Sequence, residues 1–169
     1  MGRLYVCPLG KVEQVVEQSG AESLISLLSP PPPPPRPSRI VPHRHLVLAL
    51  SDIVAPRDGH VLAGLEHVEA LLAFVRGWDR ARPLVIHCYA GVSRSPAAAF
   101  IAACALTPRP EDEIARELRR LSPSATPNRH LIALADSLLS REGRMIAASE
   151  SIGRGAECFE GEIFCMDLA

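Results

Sequence analysis

The pattern of apolar and polar residues begins with a strand, a helix and a second strand. Two short apolar runs, at 4–6 and 24–28, flank the segment 11–18, in which valines recur at helical spacing. A proline-rich tract at 30–37 follows, where the chain can neither continue a helix nor complete a sheet. We expect a stiff extended spacer there, although its PxxPxR string is also of the kind that SH3-like grooves bind.

Strands and helices continue to alternate through the middle of the chain. Residues 45–50 are typical of a buried strand, and the polar stretch 51–60 predicts a loop. Apolar residues at helical spacing then predict a helix over 61–75 that ends at Gly77. A further apolar run at 83–87 predicts the next strand.

Three more helices are indicated beyond this strand. One begins at Ser95–Pro96, where serine can cap the first turn and proline suits it, and a second opens with the acidic residues after Pro110. A third opens at Thr126–Pro127 and ends near Gly143. Because strands alternate with helices, we predict a three-layer α/β fold whose central, largely parallel sheet is flanked by helices.

Length and composition fit one compact domain. The chain has 169 residues, of which 47% are hydrophobic, and chains of this size usually form a single core. We assign 1–143 to that domain, including the proline-rich loop at 30–37. Residues 144–169 form a tail without a clear period, which is either an extended flap or a disordered end. The oligomeric state is left open.

Charge and cysteine usage exclude several classes of protein. A net charge of −1 provides no basic face for a nucleic acid. The N-terminus lacks the apolar core of a secretory signal, and the longest apolar run, 97–106, is too short to span a bilayer. The five cysteines form no CxxC pair and resemble neither a disulfide framework nor a zinc site. We therefore expect a cytoplasmic protein with no membrane partner, no metal and no cofactor.

The segment 85–95 carries the chemistry. Cys88 ends a predicted strand, and Arg94 follows after five residues, just where a helix starts. Such a loop can turn its backbone N–H groups around an anion, while the helix N-terminus adds positive potential. Gly91 permits a conformation that a side chain resists, and the planar fork of Arg94 suits two phosphate oxygens. The same field favours the thiolate form of cysteine, so we expect Cys88 to be a nucleophile at neutral pH.

Neighbouring side chains have supporting roles in this interpretation. Ser95 can donate its hydroxyl to the sulfur of Cys88, in addition to or in competition with capping the helix. His87 is expected to orient the loop by hydrogen bonding, although a histidine satisfied within the core is an equal alternative. The residues expected to surround the phosphate group are His87, Tyr89, Ala90, Gly91, Val92, Ser93 and Arg94.

The residues 87–95, HCYAGVSRS, match the HCxxGxxR(S/T) signature of the cysteine-based protein tyrosine phosphatases and are most similar to the dual-specificity group. The segment 122–128, which leads into a leucine-rich helix, also resembles that group, and the resemblance extends over about 45–139. It implies hydrolysis of phosphotyrosine in proteins or peptides through a cysteinyl-phosphate, without a metal. Whether phosphoserine and phosphothreonine are also substrates depends on the depth of a pocket that the sequence does not define.

The resemblance also implies a general acid on a separate loop, for which two aspartates are candidates. Asp52 directly follows the predicted strand, where the family places its acid. Asp58 precedes the predicted helix, a position at which aspartate often serves only as a cap. We therefore favour Asp52, although the loop lacks the Trp-Pro-Asp string of the larger tyrosine-specific enzymes.

Two other functions fit a loop of this kind. A phospho-binding module derived from a phosphatase would keep Arg94 but usually lose Cys88. A sulfurtransferase can place a cysteine in a short anion-binding loop but does not need Asp52. Residues 89–93 contain no lysine, which disfavours the polyphosphorylated substrates of inositol-lipid phosphatases.

Overall fold

The molecule, described here from a computed structural model over residues 2–31 and 36–169, is built on a five-stranded sheet. In chain order the strands are β1 Gly2–Pro8, β2 Ser23–Leu28, β3 His45–Ala49, β4 Leu84–Cys88 and β5 Phe164–Leu168. Their spatial order is β3-β2-β4-β1-β5. The first four are parallel and β5 runs antiparallel to β1, so the prediction of a largely parallel sheet is confirmed.

Helices cover both faces of the sheet, as predicted. They are α1 Val12–Ser19, α2 Leu65–Gly77, α3 Arg94–Leu106, α4 Glu111–Leu121, α5 Arg129–Leu138 and α6 Arg144–Ser151. The valines of α1 form a small apolar cluster on one face with residues of β1, β2 and β4. The other helices enclose the main core on the opposite face. None of the helices in the described ranges is long and apolar enough to cross a membrane.

The most deeply buried elements are β4 and α3, which are consecutive in the chain. All five residues of β4 are buried, because the strand lies in the middle of the sheet with helices on both sides. Alanine-rich α3 is buried along almost its whole length, and its small side chains let neighbouring elements approach closely. The loop that joins them is therefore held at both ends by rigid structure.

The second helix begins later than the periodicity indicates. Val61 is held outside α2, because its carbonyl accepts a hydrogen bond from the backbone N–H of Ser51 at 2.8 Å and its own N–H donates to the Ser51 Oγ at 3.1 Å. The helix starts only at Leu65, after Gly64. The prediction of a helix from residue 61 is thus wrong at its N-terminal end, because tertiary hydrogen bonds override the apolar spacing.

The third predicted helix is also shorter than expected. It starts after Asn128, whose side-chain oxygen accepts hydrogen bonds from the N–H groups of His130 and Leu131 at 3.0 and 3.1 Å. Thr126 and Pro127 therefore precede α5 rather than open it. The helix ends at Leu138 instead of near residue 143.

The segment 144–169 forms α6, an irregular stretch and β5, so it is neither a flap nor a disordered end along its whole length. The carboxylate of Asp136 accepts hydrogen bonds from the N–H groups of Gly143 and Met145 at 2.8 and 2.9 Å, which fixes the start of α6. Strand β5 then pairs with β1 from Gly2 opposite Leu168 onwards. These residues pack on the same core as the rest of the chain. The predicted spacer at 30–37 lies partly outside the described residues.

Candidate active site

The loop between β4 and α3, residues 88–94, is called the phosphate loop below. Cys88 ends β4 with only 2% of its surface exposed. Gly91 has a φ of 71°, in the left-handed region that favours glycine. A Cβ atom at this position would also lie 2.8 Å from the backbone nitrogen of Pro8. Both the backbone conformation and the close approach of β1 therefore require glycine here.

Carbonyl groups of the phosphate loop are turned towards neighbouring segments. Hydrogen bonds of 2.8–3.2 Å are accepted by the carbonyls of Tyr89, Ala90, Val92 and Ser93. The donors, in the same order, are the backbone N–H groups of Leu9, Gly161, Thr126 and Asn128. In a trans peptide the N–H points away from the carbonyl. The opposite side of the loop therefore carries the N–H groups of Ala90, Gly91, Ser93 and Arg94.

The guanidinium of Arg94 is buried and anchored at one nitrogen. Its Nη1 donates hydrogen bonds to the Leu50 carbonyl at 2.9 Å and to the Ser29 Oγ at 3.3 Å. Its Nε is buried and has no acceptor among the described residues. Because buried donors are nearly always paired, this atom is suited to an acceptor supplied by a ligand. A phosphate oxygen fits this requirement.

Ser95 lies against the sulfur of Cys88. Its Oγ is 3.1 Å from the Cys88 Sγ, and both atoms are buried. The expectation that Ser95 caps α3 is wrong, because the helix already begins at Arg94 and the N-cap position is that of Ser93. Ser95 is instead within the first turn, with its hydroxyl directed at the thiol.

His87 lies behind the phosphate loop and is fully buried. Its Nε2 is 2.6 Å from the Ser26 Oγ, which is itself 2.8 Å from the Nε2 of His45. Burial lowers the pKa of His87 to about 4, with smaller contributions in the same direction from His45 and Arg94 and an opposing one from the backbone of Cys88. His87 is thus a neutral residue in the core, which contacts Ser26 through Nε2 and whose Nδ1 is buried without a hydrogen-bond partner among the described residues.

The low pKa of His87 predicts a loss of stability in mild acid. An unfolded histidine titrates near pH 6.5, so below that pH the unfolded chain binds a proton that the native protein excludes until about pH 4. We expect the free energy of unfolding to fall by about 3 kcal/mol from this residue between pH 6.5 and 4. Urea unfolding at a series of pH values measures it. A His87→Gln variant that keeps the same pH slope would contradict the assignment.

Asp52 lies beside the phosphate loop. Its Oδ1 accepts hydrogen bonds from the Ser93 Oγ at 2.7 Å and from the Asn128 Nδ2 at 2.9 Å. The Asn128 side chain also donates to the carbonyl of Ile53 at 3.1 Å. Within the described residues Oδ2 accepts no hydrogen bond, so it remains available for proton transfer.

Asp58 is placed differently from the prediction. It does not cap α2, because the helix begins at Leu65 and the loop that contains Asp58 ends before it. The Asp58 carbonyl lies 3.0 Å from the Nδ1 of His60, and the residue is exposed. The capping argument against Asp58 is therefore wrong, and the case for Asp52 depends on its hydrogen bonds to Ser93 and Asn128.

Two of the remaining cysteines are inert on physical grounds. Burial raises the pKa of the Cys7 thiol to about 12, and the neighbouring Cys88 adds to this effect. The thiol of Cys104 in α3 likewise has a pKa raised to about 12, chiefly by burial. Both thiols stay protonated at neutral pH, as expected for small buried side chains.

Solved structures with a similar fold are phosphatases or phosphatase-like proteins. The structure of human DUSP28 has 18% sequence identity, covers 82% of this chain and 94% of its own, and gives a TM-score of 0.63. The structure of PTP-2 phosphatase from Cydia pomonella has 19% sequence identity, covers 79% of this chain and 84% of its own, and gives a TM-score of 0.62. The human tyrosine phosphatase-like serine/threonine/tyrosine-interacting protein has 15% sequence identity. Its structure covers 82% of this chain and 92% of its own, with a TM-score of 0.65.

The fold is therefore that of the dual-specificity and tyrosine phosphatases, and the resemblance noted at residues 87–95 is confirmed at this level. No protein-family model matches the chain, and no curated protein matches its sequence.

Proposed function

We propose that the chain is a protein phosphatase that hydrolyses phosphotyrosine without a metal, using Cys88 as the nucleophile. The observation that carries this proposal is the arrangement around one sulfur atom. The N–H groups of the phosphate loop face away from its anchored carbonyls, and the buried Nε of Arg94 lacks an acceptor among the described residues. Together they form a site for a tetrahedral dianion next to a thiol.

In the first step the Cys88 thiolate attacks phosphorus, and the bond between phosphorus and the ester oxygen breaks. The electron pair of that bond goes to the leaving oxygen, which takes a proton from Asp52. Charge on the transferring group is met by Arg94 and the loop N–H groups. The hydrogen bonds to Ser93 and Asn128 keep the Asp52 carboxyl group at the edge of the loop.

In the second step water attacks the cysteinyl-phosphate and gives a proton to Asp52, so that inorganic phosphate leaves and the acid is restored. The sulfur departs as a thiolate, which can only accept hydrogen bonds. Ser95 then becomes the donor across the 3.1 Å contact, which stabilises the departing sulfur.

Two other functions remain as alternatives to be tested. The similarity to a phosphatase-like interacting protein means that the fold alone does not distinguish turnover from phosphate binding. The presence of Cys88, Arg94 and Ser95 in one site favours turnover. A sulfurtransferase would use the same cysteine with thiosulfate as donor, but the position of Asp52 has no role in that reaction. Comparing thiosulfate with a phosphate ester separates the two.

The purified chain is expected to release inorganic phosphate from aryl phosphates and phosphotyrosyl peptides at the same rate with and without EDTA. The reason is that cationic side chains and backbone dipoles supply the charge stabilisation that a metal gives in other phosphatases. Phosphate release is measured colorimetrically. Loss of activity in EDTA that Mg²⁺ or Zn²⁺ restores would contradict the proposed mechanism, and binding without turnover would favour the phospho-binding alternative.

A further inference from the structure

The chain between α6 and β5, residues 152–163, is called the C-terminal segment below, and it lies against the phosphate loop. The Arg119 guanidinium fixes its start by donating hydrogen bonds to the carbonyls of Ile152 and Gly153 at 3.3 and 2.8 Å. Near its end, Gly161 donates to the Ala90 carbonyl at 2.8 Å. A Cβ atom on Gly161 would lie 2.7 Å from the Gly91 oxygen. The backbone of the C-terminal segment therefore packs directly against the backbone of the phosphate loop, with no room for a side chain between them.

A second glycine holds the middle of the C-terminal segment. Gly155 donates its N–H to the Thr126 Oγ1 at 3.0 Å, and Ala156 donates to the Pro123 carbonyl at 2.9 Å. A side chain on Gly155 would overlap the backbone of Ser124. Between these anchors, residues 157–160 are exposed at the side of the phosphate loop. Their side chains are thus presented from a fixed backbone.

A small cavity of about 260 Å³ lies where the C-terminal segment meets the phosphate loop. Its lining consists of Leu9, Gly10, Tyr89, Ala90, Phe159 and Glu160. The aromatic rings in this lining are unusually open to water, with Tyr89 65% and Phe159 93% exposed. Glu160 is the one charged residue of the lining, and it forms no ion pair with any residue in 2–31 or 36–169.

We propose that this cavity is a substrate subsite that binds the arginine or lysine side chain of a residue close to the phosphorylated one. The proposal rests on the phosphatase function proposed above. A cation is attracted by the faces of aromatic rings and by a carboxylate, which Tyr89, Phe159 and Glu160 supply. The aliphatic part of such a side chain can lie along Leu9. An acidic residue at the same place would be repelled by Glu160.

The cavity on the other side of the C-terminal segment has no aromatic residue among the described residues that line it and is less suited to binding a cation. It is larger, about 700 Å³, and charges of both signs line it. Two of these, Arg154 and Glu157, already form an ion pair at 3.2 Å. Glu157 is therefore a matched control for Glu160, because it belongs to the same segment and is also exposed but lines the other cavity.

The test uses phosphotyrosyl peptides in which arginine, leucine or glutamate is placed in turn at each of the three positions on either side of the phosphotyrosine. At one position, arginine is expected to raise kcat/KM roughly three- to tenfold over leucine, and glutamate to lower it. The preference should be largely lost in Phe159→Ala and in Glu160→Gln and should persist in Glu157→Gln. It should also shrink at high salt, since the charges are exposed.

Two results would overturn the subsite: no position at which arginine exceeds leucine, or a preference that survives in the Phe159→Ala/Glu160→Gln double variant. Turnover of a simple aryl phosphate by the unmodified chain distinguishes this failure from failure of the phosphatase proposal. If the chain hydrolyses neither substrate, the phosphatase proposal fails. In that case fluorescence anisotropy measures the binding of the same peptides. Tighter binding of an arginine peptide than of the matching leucine peptide would support the subsite, and equal binding would overturn it.

Discussion

Replacing Cys88 with serine is expected to abolish hydrolysis of aryl phosphates and phosphotyrosyl peptides while leaving their binding largely intact. A serine hydroxyl is a far weaker acid and a far poorer nucleophile than a cysteine thiol, so attack on phosphorus should slow by roughly 10³-fold or more. Binding is preserved because Arg94 and the N–H groups of the loop do not depend on the sulfur. Phosphate release measures the first effect, and fluorescence anisotropy with a labelled phosphotyrosyl peptide measures the second.

The matched control for this experiment is Cys104→Ala. This variant also removes a buried thiol, but one that lies in α3 rather than at the end of β4. It is expected to keep its activity, because Cys104 lies in the helical core and its thiol stays protonated. A Cys88→Ser variant that retains more than a few per cent of activity would exclude Cys88 as the nucleophile.

The second large effect is expected for Asp52→Asn, and its size should depend on the leaving group. An activated aryl phosphate releases a stable phenolate and needs little help, whereas a leaving group of high pKa requires a proton. General acid catalysis is typically worth about 10²–10⁴-fold, so the loss should approach this range only with poor leaving groups. The basic limb of the pH–rate profile, which reports protonation of the acid, should disappear as well.

Asp58→Asn provides the comparison for this prediction. Asp58 is in the same loop and, like Asp52, is exposed. Within the described residues, however, no hydrogen bond links its carboxylate to the phosphate loop or to Asn128, and only its backbone carbonyl has a nearby partner, the Nδ1 of His60. We expect near-normal kinetics for this variant with every leaving group. The opposite pattern, with leaving-group dependence in Asp58→Asn and normal behaviour in Asp52→Asn, would transfer the role of acid to Asp58 and leave Cys88 and Arg94 unaffected.

The local part of the site was predictable because its signal is contained in a few adjacent residues. The spacing of Cys88, Gly91 and Arg94 at a strand-to-helix turn predicted the loop, and the structure places all three within it. The alternation of strands and helices predicted the sheet for a similar reason, since each element is coded by its own periodicity. Strand β5 was missed although Phe164, Met166 and Leu168 alternate with Cys165 and Asp167 at the period of a half-buried strand, because so short a run stands out little from the irregular segment before it.

The residues that support the loop were missed because they act over long sequence distances. Ser26 contacts His87 from a neighbouring strand, and Asn128 reaches Asp52 from the start of α5. Gly161 meets the phosphate loop only after the chain has passed through α6. The one available signal was the asparagine before α5, a residue type that favours helix caps. The predicted start of α2 at residue 61 was wrong for the same reason, because a hydrogen bond from Ser51 to Val61 holds Val61 outside the helix.

The four donors that hold the phosphate loop have a consequence for how the chain folds. Leu9, Thr126, Asn128 and Gly161 come from segments spread over most of the sequence. Contacts between residues far apart in the sequence tend to form late, because closing the long loop between them costs conformational entropy before the contact stabilises the fold. During synthesis the Cys88 thiol would leave the ribosome well before Gly161 and strand β5. The full set of four contacts is thus complete only when Gly161 has packed against Ala90, so we expect the proposed nucleophile and anion site to reach their final geometry late in folding.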